Sequence, residues 1–268
     1  MNRNDAVDGI HSVIVDKFND LHTPSLYFAD DMGFVFRGHA DAEWKIETTL
    51  DRLIPRIKAT DFSELDTYRF HRTNFLSAIR GRTLMTKDEA ADDDSVWALG
   101  QHYELATPLL DWTSSLYVAL YFAFIDDCSP PNGYRRVWAL HHASVRKSMS
   151  TYNEGKDREV QTRFVDPMTN HIPRMLSQVG CFIHKPLYFG LENWLMNTFS
   201  GSTRSHIFRI DIADKLRPQI LSHLRLMNIH GGSLFPDING AAAFCNETLE
   251  HFAQKWRRKT AIAPPFQI

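Results

Sequence analysis

The sequence has little of what marks most specialised chain types. Cysteine is scarce: Cys128, Cys181 and Cys245 stand far apart and odd in number. They offer neither a zinc-binding spacing nor a disulfide framework, so a reducing cytoplasm is the expected compartment. The opening residues, MNRNDAVDGIHSVIVDKF, lack the apolar core of a signal peptide, and no membrane partner is expected. The most apolar stretch, from Ser114 to Phe124, is too short to span a bilayer. Charge of one sign is lacking too. A formal net charge of -2 argues against a general polyanion binder but leaves room for a local basic patch. There is no internal repeat, low-complexity tract or obvious linker. Walker loop, dinucleotide glycine fingerprint, HExxH and GxSxG are all missing. The adjacent His141 and His142 would point to opposite faces of a strand, which is poor geometry for a shared metal, so no metal is expected.

What remains is an ordinary globular composition. Of 268 residues, 43% are apolar and 12% aromatic, enough to bury a sizeable core in one large domain or two small ones. Taken in order, Ile10, Val13, Ile14, Phe18 and Leu21 predict an amphipathic leading helix from about Asp8 to Leu21. Gly33 to Gly38 reads as a short buried strand. Trp44 to Leu53 reads as a turn leading into a helix, and Thr60 to Arg80 as a longer helix with Phe62, Leu65, Tyr68, Phe75, Leu76 and Ile79 on its apolar side. The acidic run Asp88 to Asp94 predicts a solvated loop or helix cap. Cys128 to Gly133 signals a turn, and Arg136 to His141 a strand. Residues 143–170 are polar and poorly patterned, and read as a loop with short helices. The second half of Arg174 to Ile183 reads as a strand, Phe189 to Phe199 as a helix, and His206 to Ile210 as a strand. Ala213 to Leu226 predicts a helix in which Pro218 lies in the first turn or makes a kink. After a turn at Ser233 to Asp237, a closing helix runs from Ile238 to Trp256, with Asp237 as its cap and the basic Trp256 to Lys259 at its end. The fold class is α+β in one compact domain. Residues 1–32 form a helical lead-in and residues 33–268 the domain proper.

The chain is organised around Gln101 to Ala123. Gln101, His102 and Tyr103 end a helix that begins near Ser95. Leu109 to Thr113 is an apolar run closing on an acid, an indole and a hydroxyl. The apolar stretch after it has the length of a buried helix, although Tyr117, Val118, Tyr121 and Phe122 would also suit a strand, and a helix would have hydroxyl caps available at Thr113, Ser114 and Ser115. Polar residues set against such a run must bond one another or a ligand. Arg37, at the end of its own apolar strand, raises the same question. A buried guanidinium needs a carboxylate, a carbonyl or a phosphate. Asp111 reads either as a helix cap or as a partner of Arg37, Trp112 as core packing or a ligand wall, and Tyr103 as a helix end or a stacking surface.

Several islands together resemble the FRG-domain family. They are Phe36-Arg37-Gly38, Gln101-His102-Tyr103, and Thr107 to Thr113 with Ala119 and Phe122-Ala123. Arg174 with Gln178, Gly180 and Phe182 follows, and Leu234 to Asp237 closes the set. Glu104 stands where relatives often carry glycine, which implies an altered turn. A second resemblance is to ADP-ribosyltransferases, whose core opens with an aromatic-Arg-Gly strand and continues with a hydroxyl-bearing strand and a helix. Val35 to Gly38 looks like the first. Leu110 to Ser114, with Val118-Ala119 and Phe122-Ala123, looks like the second. This resemblance implies a mixed sheet core flanked by helices and NAD as the substrate. It implies Arg37, Thr113, Gln178 and Asp111 as catalytic residues. Arg37, Gly38, His102, Tyr103, Thr107, Trp112 and Thr113 would bind the dinucleotide. Arginine suits phosphate because it grips two oxygens at once. The family's third element supplies a glutamate. Here Gln178 holds that place, so either it acts through its amide or another acid, Asp111 or Glu192, replaces it.

The resemblances imply a transferase effector, the toxin of a bacterial toxin–antitoxin or anti-phage system. Its partners would be a protein or nucleic-acid acceptor and a cognate antitoxin. An NAD glycohydrolase and a non-catalytic nucleotide or RNA binding module are the alternatives.

Overall fold

The structure, a computed structural model, describes residues 6–31, 33–57, 63–82, 85–165 and 177–262. The chain starts with a strand where the sequence predicts a helix. β1 (Ile10–Val15) pairs in parallel with the seventh strand, Ile10 opposite Ile207 and Val15 opposite Ile212. The apolar spacing suits a helix, but four of these six residues are β-branched and favour the pleated surface. The leading segment is thus the edge of the main sheet, not a separate lead-in. α1 (His22–Ala29) follows, then β2 (Phe34–His39), α2 (Thr49–Ile57) and α3 (Glu64–Ala78). Thr60 and Phe62, expected on the third helix, lie outside the described residues.

The acidic run forms α4 (Lys87–Ala91) and the start of α5 (Asp93–His102). It is less solvated than predicted. Asp92 caps α5 by accepting from Ser95, while Asp94 is buried and holds Arg158 and Arg163. β3 (Leu109–Thr113) leads into α6 (Leu116–Phe124), whose cap is Ser115, accepting from the Val118 amide at 3.3 Å. β4 (Tyr134–His141) runs directly into α7 (His142–Tyr152). This eleven-residue helix is longer than the short helices expected within a loop there. Val145 and Met149, four apart and buried, hold it to the core, a signal too brief to stand out among polar neighbours. β5 (Arg163–Val165), β6 (Gly180–His184), α8 (Leu191–Phe199), β7 (Ile207–Ala213) and α9 (Arg217–Leu226) complete the body. α10 (Gly231–Leu234) and α11 (Ile238–Ile262) close the chain. Asp237 caps α11 as expected, accepting from Gly240 at 3.0 Å. The helix runs past Trp256, so the basic stretch lies within it and not at its end. Among the described residues, no helix is long and apolar enough to cross a membrane.

The seven strands form one mixed sheet in the order β1-β7-β4-β2-β3-β6-β5, antiparallel except for β1 and β7. The fold is α+β in a single compact domain. Residues alternate along each strand and feed different clusters. Phe34, Phe36, Val137, Ala139 and Phe208 join α6 in one. Val35, Leu110, Trp112, Trp138 and Leu140 join α7 and α8 in another. A third, with Leu109, Phe182, Trp97 and Tyr68, covers the β3–β6 end beside α5.

Gly38 fixes how closely α6 meets the sheet. A Cβ there would stand 2.1 Å from the Ala119 carbonyl oxygen and 2.6 Å from the Ala123 nitrogen, both backbone atoms that cannot rotate away. Gly38→Ala is therefore expected to cost about 1–3 kcal/mol or more in urea denaturation. The control Gly190→Ala has open space at its Cβ and, although Gly190 caps α8, should cost less than Gly38→Ala. Equal stabilities would show that the approach is not what Gly38 serves.

Candidate functional site

The site begins where the sheet is least complete. β2 and β3 share a single ladder pair, Phe36 opposite Thr113, and then part. Carbonyls on parting strands need another donor. Arg37 provides one: its Nη1 donates to the Asp111 carbonyl at 2.7 Å. Its Nε donates to His39 Nε2 at 3.2 Å. His39 is two residues further on the same strand and so shares that face. Its Nδ1 meets the Trp44 carbonyl at 3.2 Å. A carbonyl only accepts, so Nδ1 carries the proton, Nε2 is the acceptor and the ring is neutral. Burial, reinforced by the Arg37 charge, pushes the His39 pKa down to about 3.

A neutral partner leaves the guanidinium charge uncancelled. Asp111 Oδ2 stands 4.0 Å from Nη1, and the Asp111 side chain is 65% exposed, so the ion pair is loose. Burial lowers the Arg37 pKa and the Asp111 charge opposes this. An arginine remains charged regardless. Among the described residues, Nη2 has no hydrogen-bond partner.

Asp111 is held from its other side. Gln101 Nε2 donates to Asp111 Oδ1 at 2.7 Å. The Thr107 hydroxyl donates to Gln101 Oε1 while accepting from the Leu109 amide at 3.3 Å. Thr49 fixes Thr107 in turn, its hydroxyl accepting from the Thr107 amide at 2.9 Å. On β3, the Thr113 hydroxyl donates to the Gln178 carbonyl at 2.7 Å and accepts from the Ser115 amide at 3.1 Å. The Gln178 amide donates to the Leu234 carbonyl at 3.3 Å.

These groups border a cavity of about 380 Å³ with α5 on one side and α6 on the other. Arg37, Gln101, His102, Asp111, Thr113 and Gln178 are its polar lining, and Phe36, Phe122, Phe182 and Phe235 its aromatic lining. Other expectations need correction. Tyr103 is 69% exposed and lies outside the lining, edge-on to the His102 ring. It is the C-cap of α5, and its side chain has left the helix face that meets the sheet. Thr107 is fully buried behind Gln101 and does not reach the cavity. Trp112 borders it, but its indole packs in the core with Val35, Leu110 and Trp138, opposite in strand parity to Asp111 and Thr113. Gly38 borders it too, yet its missing side chain makes room for α6 rather than for a ligand. Glu192 accepts from the Ile46 amide at 3.2 Å beside a different cavity and is no substitute acid here. Arg174 lies outside the described residues. Glu104 adopts a φ of +63°, the left-handed conformation that glycine takes more readily, so its place in the family pattern is a turn.

Residues 32–131 match the family model of the FRG domain. That stretch is similar to the FRG domain. No curated protein and no solved structure matches it. The matched stretch holds Arg37, His39, Thr49, Gln101, Thr107, Asp111 and Thr113. The bonds described above therefore join the separate FRG islands to one another. Gln178 and Phe235 lie beyond it.

Sequence reasoning missed His39, although a histidine two residues from an arginine on one strand is the available signal. It also missed Arg135. This fully buried side chain donates to the Ala123 and Asp126 carbonyls at 2.8 Å each and pairs with Asp214, holding the C-terminal end of α6.

Two outcomes are expected. The folded His39 pKa lies below its unfolded value, so between pH 6.5 and about 3 the unfolded chain binds a proton that the folded chain lacks. Stability should fall as pH drops through that window. His39→Gln should lose about 2 kcal/mol less than wild type between pH 7 and pH 5 in urea titrations, and an identical loss would contradict a neutral His39. At Gln178, a carboxylate cannot donate to Leu234. Gln178→Glu should be less stable than Gln178→Ala, which removes the bond at a cost of about 0.5–1.5 kcal/mol. A glutamate variant as stable as wild type would remove Gln178 from this structural part.

Proposed function

We propose that the domain is an NAD-dependent ADP-ribosyltransferase-like effector, with the cavity between α5 and α6 as its site. The observation that carries this reading is Arg37, a half-buried guanidinium with a neutral histidine partner and, among the described residues, no hydrogen-bond partner for Nη2. Such a group suits a pyrophosphate, whose oxygens can accept from the remaining N–H donors. The cavity lies within the roughly 300–1,000 Å³ of small-molecule sites, and its aromatic lining suits a flat ring. Asp111 is the carboxylate of this lining. As the bond from ribose C1′ to nicotinamide breaks, its electron pair leaves with nicotinamide and positive charge grows on the ribose. A carboxylate fixed there stabilises that charge. The acceptor then bonds to C1′ and gives up a proton.

This assigns to Asp111 the part that the family resemblance gives to a glutamate, and leaves Gln178 as a structural residue. The acceptor is a protein side chain or a nucleic acid. A toxin role and a cognate antitoxin rest on the family resemblance alone. The commitment of the Gln178 amide to Leu234 favours one second reading, a nucleotide or RNA binding module without turnover.

The test is incubation of the purified protein with labelled NAD, with nicotinamide release and macromolecular label followed separately. Label on a macromolecule is the expected result. Nicotinamide without label indicates a glycohydrolase, and saturable binding without turnover the binding module. Arg37→Ala and Asp111→Asn should each reduce turnover about 100-fold or more, the first with weakened NAD binding and the second chiefly in kcat. Full turnover in both variants would place the chemistry elsewhere.

A further inference from the structure

The bonds behind Asp111 have a direction. The Leu109 amide can only donate, so Thr107 Oγ1 accepts from it and its own proton is free to go to Gln101. The Gln101 atom beside Thr107 is then the carbonyl oxygen, and its NH2 faces Asp111. The reverse orientation would set two acceptors, Gln101 Oε1 and Asp111 Oδ1, against each other. Asp111, which only accepts, draws the Gln101 NH2 toward itself, and the Thr107 proton holds the carbonyl oxygen on the other side. The NH2 donor fixes Oδ1, leaving Oδ2 on the Arg37 side. Thr107 is fully buried and held by Thr49, so the arrangement is rigid at its root.

We infer that Thr107 and Gln101 are positioning residues: together they hold Asp111 as an oriented carboxylate at the Arg37 end of the cavity. This rests on the transferase reading of the site and extends it to a residue that touches neither the cavity nor a ligand. The hydroxyl at 107 and the amide at 101 act only through the acid at 111.

The experiment compares Thr107→Val, which keeps the shape and removes the hydroxyl, with Thr107→Ser, which keeps the hydroxyl, using NAD turnover by the whole chain. Thr107→Val should lower kcat about 10–100-fold, since misplacement of a catalytic group by ~1 Å has effects of that order, with KM for NAD nearly unchanged. Thr107→Ser should recover most of the loss. In an Asp111→Asn background, Thr107→Val should add nothing further, because both act through one group. Equal losses in the valine and serine variants, a loss confined to KM, or full additivity with Asp111→Asn would overturn the inference. A wild type that releases no nicotinamide overturns the activity reading and with it the catalytic part of Asp111. The orientation is then judged by NMR, where the Gln101 side-chain NH2 should exchange slowly in wild type and Thr107→Ser and quickly in Thr107→Val. Equal exchange in all three would refute the orientation itself.

Discussion

The parting of β2 from β3, bridged by Arg37, is the feature on which the rest of the site depends. Two adjacent strands that share a single ladder pair leave backbone groups unmet and open a gap in the sheet. A long cationic side chain can meet a carbonyl across such a gap where a backbone amide cannot reach. The same side chain then brings a full charge to the place where the sheet opens. Structural need and chemical opportunity coincide in one residue.

What keeps that charge available is the choice of partner. Had a carboxylate stood where His39 stands, the guanidinium would have been neutralised and held on both sides. A buried neutral imidazole takes one hydrogen bond and returns no charge. Asp111, exposed and 4.0 Å away, adds only a loose and screened attraction. Elsewhere the protein treats arginines differently. Arg135, fully buried, and Arg163, half-buried, pair closely with Asp214 and Asp94 and bind backbone carbonyls besides, so their charges and donors are consumed by the fold. The contrast sets Arg37 apart from the structural arginines without reference to any family.

The third expected element illustrates how position and role diverge. Gln178 does reach the cavity beside Thr113, as its place in the pattern implies. Its carbonyl is held by Thr113 and its amide by Leu234, so it ties the C-terminal segment, with Phe235, to the cavity wall. A similar shift applies to Thr107, which supports the wall from behind, and to Tyr103, which stands outside it. Each of these residues is in the right neighbourhood. None could be assigned its bonds from spacing alone, because a bond depends on which way the side chain leaves the backbone.

The sequence by itself determined the strand at Phe34–His39, the helix at Leu116–Phe124 with its hydroxyl cap, and the closing helix capped by Asp237. Local chemistry settles these: an apolar run, a cap, a turn signal. It also marked Arg37 and Asp111 as polar residues in need of partners. Only the tertiary structure decided that Ile10–Val15 is a strand, because pairing with Ile207–Ala213 outweighs a helical spacing of its own apolar residues. Only the tertiary structure joined Thr107, Gln101, Asp111, Arg37 and His39 into one bonded chain. Hydrogen bonds are short and directional, and residues up to 74 positions apart meet through them only once the sheet has set their strands side by side.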